Sequence, residues 1–288
     1  ESTGKEGTGL IPIAQEPVLK PQAYGSDRFF VYLKLKGEEN VALDQAVQAL
    51  VKADHPVLQF NLRDHYDLGA EFFRWEFATA IAGHVLGIHP FDQPNVQESK
   101  DNTNRVLDTF QSTGRLPAQA NHQPKDVANV LSGLLQQGTY LSVLGYTTPS
   151  RPLEAAVGRL RRTLMSKYSV ATTFGYGPRY LHSTGQLHKG GPNTGVFLEF
   201  VDRMAPDVPI PGRPFSFGTL ANAQASGDLE SLRTHNRQAI RVQLGRNPVA
   251  VVDAIAAALA GTGSSGQRTG TRKPRRPGRR RRRRPCAP

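Results

Sequence analysis

Cysteine is almost absent: the 288 residues hold one, Cys286, three positions from the end. The body of the chain therefore has no disulfide and no thiolate metal site, which suits a reducing cytoplasm. Long hydrophobic runs are missing too. The longest, around Val249 to Ala260, is broken by Asp253, and a membrane helix needs about 18 uncharged apolar residues, so no membrane partner is expected. The polar opening, Glu1-Ser2-Thr3-Gly4-Lys5, is not a secretory signal. It also lacks an initiator Met, which points to a piece of a longer protein. Acidic residues are absent from 261–288, where eleven cations collect, among them the run Arg279 to Arg284. Without that stretch, 25 basic residues face 24 acidic ones, so the formal net charge of +12 belongs to the tail.

What is present is globular in composition, with 38% hydrophobic and 21% charged residues. Residues 28–258 alternate apolar, β-rich runs with longer helical patterns, the rhythm of α/β architecture. Strands are expected at 29–35, 56–62, 140–146, 169–174, 195–201 and, alternating as an edge strand would, 239–244. Helices are expected at 42–53, 69–86, 95–110, 127–137, 153–168, 220–236 and 248–260. From Gly261 the composition turns to Gly, Ser, Thr, Pro and Arg, which cannot bury a core, so disorder is expected.

Three segments are richer in glycine and polar residues than packing requires. The first is Glu1 to Gly9, a hydroxyl-, lysine- and glycine-rich loop that lacks P-loop spacing and also reads as an ordinary surface loop. The second is Phe91 to Lys100, where a helix opens and its backbone N–H groups favour anions; a capped helix with a solvated Lys100 is the plainer reading. The third is His182 to Pro192, where two histidines six apart with no carboxylate between them make a poor metal motif. A substrate loop and a structural loop are both open there. Asp64-His65 and His84 read as structural.

Glu1-Ser2-Thr3-Gly4-Lys5, Phe91-Asp92-Gln93, Val96 and Lys100 resemble the second sugar-isomerase (SIS) domain of glucose-6-phosphate isomerase. Residues 74–80 and 95–100, with His182 to Pro192 and Ser216 to Leu220, are similar to the C-terminal part of bacterial bifunctional transaldolase/glucose-6-phosphate isomerases. The likeness covers roughly residues 1–258. It implies a doubly wound α/β fold of SIS type, with a mostly parallel sheet in flavodoxin-like layers. Residues 1–115 would be a partial second SIS domain, 116–260 a C-terminal α/β extension and 261–288 a disordered tail.

The resemblance also implies an activity, the interconversion of glucose 6-phosphate and fructose 6-phosphate through a cis-enediol. Glu1 matches the family glutamate that moves the proton between C2 and C1, with Thr3 in place of the asparagine. Lys100 matches the lysine that assists ring opening near the sugar phosphate, and Gln93 the family glutamine; Asn95 and Gln97 replace the family's glycine and glutamate. The family histidine that opens the pyranose ring has no counterpart in Tyr24 to Phe30, so Arg28, His182 or Lys100 would take its place. No metal or organic cofactor is implied. The arginine and phosphate loop of the family come from the first SIS domain, so the expected partners are a sugar phosphate, the missing upstream isomerase half and a transaldolase domain, with a homodimer allowed. Alternatives are a non-catalytic sugar-phosphate-binding domain, non-specific polyanion binding through 261–288 with strong salt dependence, or a tail with no selected function.

Overall fold

The computed structural model describes residues 2–261; Glu1 and residues 262–288, with the expectations attached to them, lie outside the described residues. In chain order the elements are β1 (Phe30–Leu35), α1 (Val41–Lys52), β2 (Val57–Leu62), α2 (Asp67–Leu86), α3 (Pro94–Thr113), α4 (Pro124–Leu134), β3 (Tyr140–Tyr146), α5 (Arg151–Tyr168), β4 (Ala171–Tyr176), α6 (Gly185–Gly190), β5 (Gly195–Val201), α7 (Phe217–Thr234), β6 (Gln238–Gln243) and α8 (Pro248–Gly261). A 3-10 turn, Arg179–His182, precedes α6. Among the described residues no helix is long and apolar enough to cross a membrane.

Among the described residues, six strands form two parallel sheets. One contains β1 and β2; the other has the order β4-β3-β5-β6. The central strands β3 and β5 are buried along their whole length, as their near-continuous apolar sequences demand of a sheet covered on both faces. One face, with Leu141, Val143, Leu198 and Val242, packs on α4, α5 and α8. The other, with Tyr140, Leu144, Tyr146 and Phe197, packs on α7 and the segment around Tyr180. Helices on both faces of a parallel sheet make this a doubly wound α/β fold.

Local chemistry sets the element ends. Ser150 and Ser216 cap α5 and α7, each accepting from a backbone N–H three residues on. Ser169, at φ 54°, ends α5 in the left-handed region, so β4 starts at Ala171, two residues later than its apolar pattern suggests. α3 lies on α7 at close range because Gly227 has no side chain: a Cβ there would stand 2.8 Å from the Thr103 backbone nitrogen. Asn102 Nδ2 donates to Ser231 Oγ at 2.7 Å across the same contact. Gly227→Ala is expected to force the helices apart and to cost about 1–3 kcal/mol, read from denaturant midpoints.

The smaller sheet is covered less completely. α2 leaves Phe72, Phe73, Phe77, Ile81 and Val85 exposed, and Phe29, Val31, Leu33 and Leu58 are exposed on and beside β1 and β2. The apolar spacing in 69–86 does form a helix, but its apolar side faces outward. A two-stranded parallel sheet with such a face is too small to be stable by itself.

Candidate active site

Residues 182–192, read from sequence as a loop, are part turn and part helix, with Gln186, Leu187, His188 and Lys189 all buried. The glycines that suggest a loop allow close approach instead. A Cβ on Gly4 would fall 2.3 Å from the Leu187 Cα, so the first loop presses its backbone directly onto α6.

Gln186 joins the three segments singled out in the sequence. Its Nε2 donates to the Gly4 carbonyl at 3.0 Å and to Asn95 Oδ1 at 2.8 Å, and its Oε1 accepts from the Asn95 backbone N–H at 3.1 Å. The Gly7 N–H donates to the Gly190 carbonyl. Within the first loop, Thr3 Oγ1 accepts from Leu10 N–H at 3.0 Å, and the buried Lys5 ammonium reaches the His89 carbonyl at 3.0 Å and Asp92 Oδ2 at 3.2 Å. Loop 2–9, the start of α3 and α6 therefore hold one another in place.

One and a half turns along α3, Lys100 lines a cavity of about 220 Å³ between α3, the turn before α6, and α7. His182, Gly185, Lys189, Thr103 and Gln224 share its wall with apolar side chains, and no carboxylate lines it. Lys100 and His182 are exposed at the opening, whereas Lys189 is buried, its ammonium 2.6 Å from Asp228 Oδ1 on α7. The second Asp228 oxygen accepts from the Tyr180 hydroxyl. Burial, then the Asp228 charge, pushes the Tyr180 hydroxyl far above its ordinary pKa, so it stays a donor. Asp228 balances the charge of Lys189, so Lys100 at the opening gives the cavity its positive character.

The other sequence candidates are placed as follows. Gln93 is the residue before α3, exposed, and does not line the cavity. Arg28 pairs with Glu16 at 3.0 Å, whose Oε1 also accepts from Thr172 N–H, so it ties loop 12–28 to β4. It lines a separate cavity with Phe30, Tyr32 and Leu50. Loop 2–9 touches α6 through Gln186, Leu187 and Gly190, and its residues are not among those lining the Lys100 cavity. Among the described residues no group of three or more His, Cys, Asp or Glu side chains could hold a metal ion.

Sequence reading missed Gln186, Lys189 and Asp228 as site residues. A usable signal was there: Asp228 follows Ala223, Ala225, Ser226 and Gly227, small residues that let neighbouring elements pack closely around α7 and bury the acid among them. Glu199, the one acid in β5, is buried with Arg241 at 3.0 Å because the central strand is covered on both faces.

With this geometry in hand, comparison with known proteins finds glucose-6-phosphate isomerases. That of Leptospira biflexa serovar Patoc is 28% identical over 146 residues, 37% of this chain and 32% of that protein. That of Lactobacillus helveticus is 38% identical over 69 residues, 22% and 16% respectively. The chain spans about a third or less of the length of these curated relatives. No family model matches. Among solved structures, a hypothetical protein from Thermus thermophilus aligns with 80% of this chain and 55% of its own, at 13% identity and a TM-score of 0.40.

Proposed function

We propose that this chain is the C-terminal portion of an aldose–ketose isomerase that interconverts glucose 6-phosphate and fructose 6-phosphate, within a longer polypeptide of the transaldolase/isomerase type. The observation that carries it is the Gln186 junction. The glutamate-bearing loop, the helix of Lys100 and the 182–192 segment lie far apart in sequence, carry the resemblance to these isomerases, and are hydrogen-bonded into one unit. Partial similarity to glucose-6-phosphate isomerases points the same way.

In this reading Glu1 is the base that takes the proton from C2 of the open-chain aldose and returns it to C1. Lys100 assists ring opening from the cavity wall, with His182 beside it at the opening. Carbon acids need a base whose pKa is raised toward the working pH, and an enediolate needs a cation close by. The exposed apolar surface of α2, β1 and β2 is where the upstream half seats, so the chain alone presents part of the site and is nearly inactive. Lys100→Ala is expected to weaken fructose 6-phosphate binding about tenfold, measured by calorimetric titration; unchanged affinity in a folded variant would remove Lys100 from the site.

A further inference from the structure

Lys189 is the least accessible cation of the cavity and the one whose surroundings are most fully built. Both side chains of its pair with Asp228 are 1% exposed. A buried ion pair is a poor source of stability, since apolar residues of similar volume serve as well or better, so its retention in a cavity wall calls for another explanation. Asp228 is held from two sides, by the Lys189 ammonium and by the Tyr180 hydroxyl. The Lys189 carbonyl is fixed separately, by a guanidinium N–H of Arg237 that also donates to the Gly191 carbonyl at 2.7 Å. The ammonium is thereby positioned, and an ammonium has three N–H groups, of which Asp228 can occupy one. Gly185 and Lys189 line the cavity side by side, and a Cβ on Gly185 would stand 3.9 Å from Lys189 Nζ, so the ammonium lies at the Gly185 side of the wall. Asp228 lies behind the wall and does not line the cavity.

We infer that Lys189 is a substrate-binding residue whose ammonium, held by Asp228 and Tyr180, receives the phosphoryl group of the ligand together with Lys100. This deepens the isomerase reading and rests on it for the identity of the ligand. It gives the chain a phosphoryl-binding pocket of its own, formed by residues 96–224 without any upstream segment. The groups that face Lys189 are Lys100 from α3, Tyr180 and His182 from the turn, His188 beside it on α6, Asp228 from α7, and Arg237.

The test titrates the 288-residue chain with inorganic phosphate and with fructose 6-phosphate in about 0.2 M salt, which screens loose binding by exposed arginines. Wild type, Lys189→Met, Asp228→Asn and Asp228→Glu are compared under one buffer condition, with circular dichroism melts to establish folding. Lys189→Met should lose at least tenfold in affinity for both ligands. Asp228→Asn removes the carboxylate that positions the ammonium. Its affinity for both ligands should fall about tenfold, and Asp228→Glu, which keeps a carboxylate beside the ammonium, should recover most of that loss; a loss that persists in folded Asp228→Glu overturns the positioning role. A folded Lys189→Met protein with wild-type affinity overturns the inference. If that variant fails to fold, wild-type affinity in a folded Asp228→Asn protein overturns it instead. Phosphate binding without fructose 6-phosphate binding sinks the isomerase reading and leaves the phosphoryl pocket standing. Binding of fructose 6-phosphate that is indifferent to Lys189→Met and Asp228→Asn does the reverse, and a wild-type chain that binds neither ligand overturns the inference.

Discussion

A chain extended upstream by its first isomerase half is expected to interconvert glucose 6-phosphate and fructose 6-phosphate, and Glu1→Gln in that longer protein to reduce kcat on the order of a thousandfold. The 288 residues alone should show next to no turnover. Removing a proton from carbon requires a base, a cation or dipole for the enediolate, and a site closed to water. This chain offers a cationic cavity wall in Lys100 and Lys189, but leaves open the apolar surface around Phe73, Phe77 and Val31. A coupled spectrophotometric assay on the four proteins, short and long, each with and without the substitution, decides the matter. Normal turnover by the short chain would show the site to be complete without an upstream half, and full activity in the long Glu1→Gln variant would assign the proton transfer elsewhere.

Much of this arrangement is legible in the sequence, for identifiable reasons. The strands β3 and β5 announce themselves because a strand buried on both faces is apolar throughout, and no helix of seven residues competes for that pattern. The first and third of the polar segments stand out because close backbone contacts, Gly4 on Leu187 and Gly190 on the Gly4 carbonyl, demand glycine. Less was legible where meaning depends on a distant partner. The helix α6 hides behind its own glycines, since six residues carry too little periodicity to register. Lys189 and Asp228 are 39 positions apart and read singly as solvated charges; only the packing of α6 against α7 makes them a buried pair. Arg28 occupies the stretch where the resembling family has its histidine, yet it pairs with Glu16, a partner twelve residues back that no local spacing rule picks out. The apolar pattern of α2 is the instructive case: periodicity identifies a helix and its apolar side, but not whether the covering element belongs to the same segment of chain.

Stability should form a plateau between about pH 4.5 and 6.5 and fall on both sides, through two buried groups with opposite shifts. Burial, opposed by Arg241 and reinforced by Asp228, pushes the Glu199 carboxyl up to about 8 from 4.5. The folded protein therefore holds a proton on Glu199 that the unfolded chain gives up above about pH 4.5, and stability drops as pH rises between 4.5 and 8. Burial, then the charges of Lys189 and Arg237, lowers His188 to about 3 from 6.5. Here the unfolded chain binds the extra proton, so stability drops as pH falls from 6.5 toward 3. Each group contributes a slope of up to about 1.4 kcal/mol per pH unit within its window. Between 4.5 and 6.5 the two slopes are opposed and cancel; above 6.5 only Glu199 acts, and below 4.5 only His188. Glu199→Gln keeps a carbonyl oxygen for the Arg241 guanidinium, so it should abolish the alkaline decline while leaving the acid one intact. His188→Gln keeps a polar group near Ser142 Oγ, now 3.5 Å from the imidazole Nε2, and should abolish the acid decline alone. Denaturant midpoints at pH 3.5, 5.5 and 8 provide the comparison, with variant minus wild type removing the contribution of every other titrating group. A Glu199→Gln difference that stays constant from pH 5.5 to 8 would mean that the native carboxylate is ionised against Arg241, and that the pair outweighs the cost of burying it.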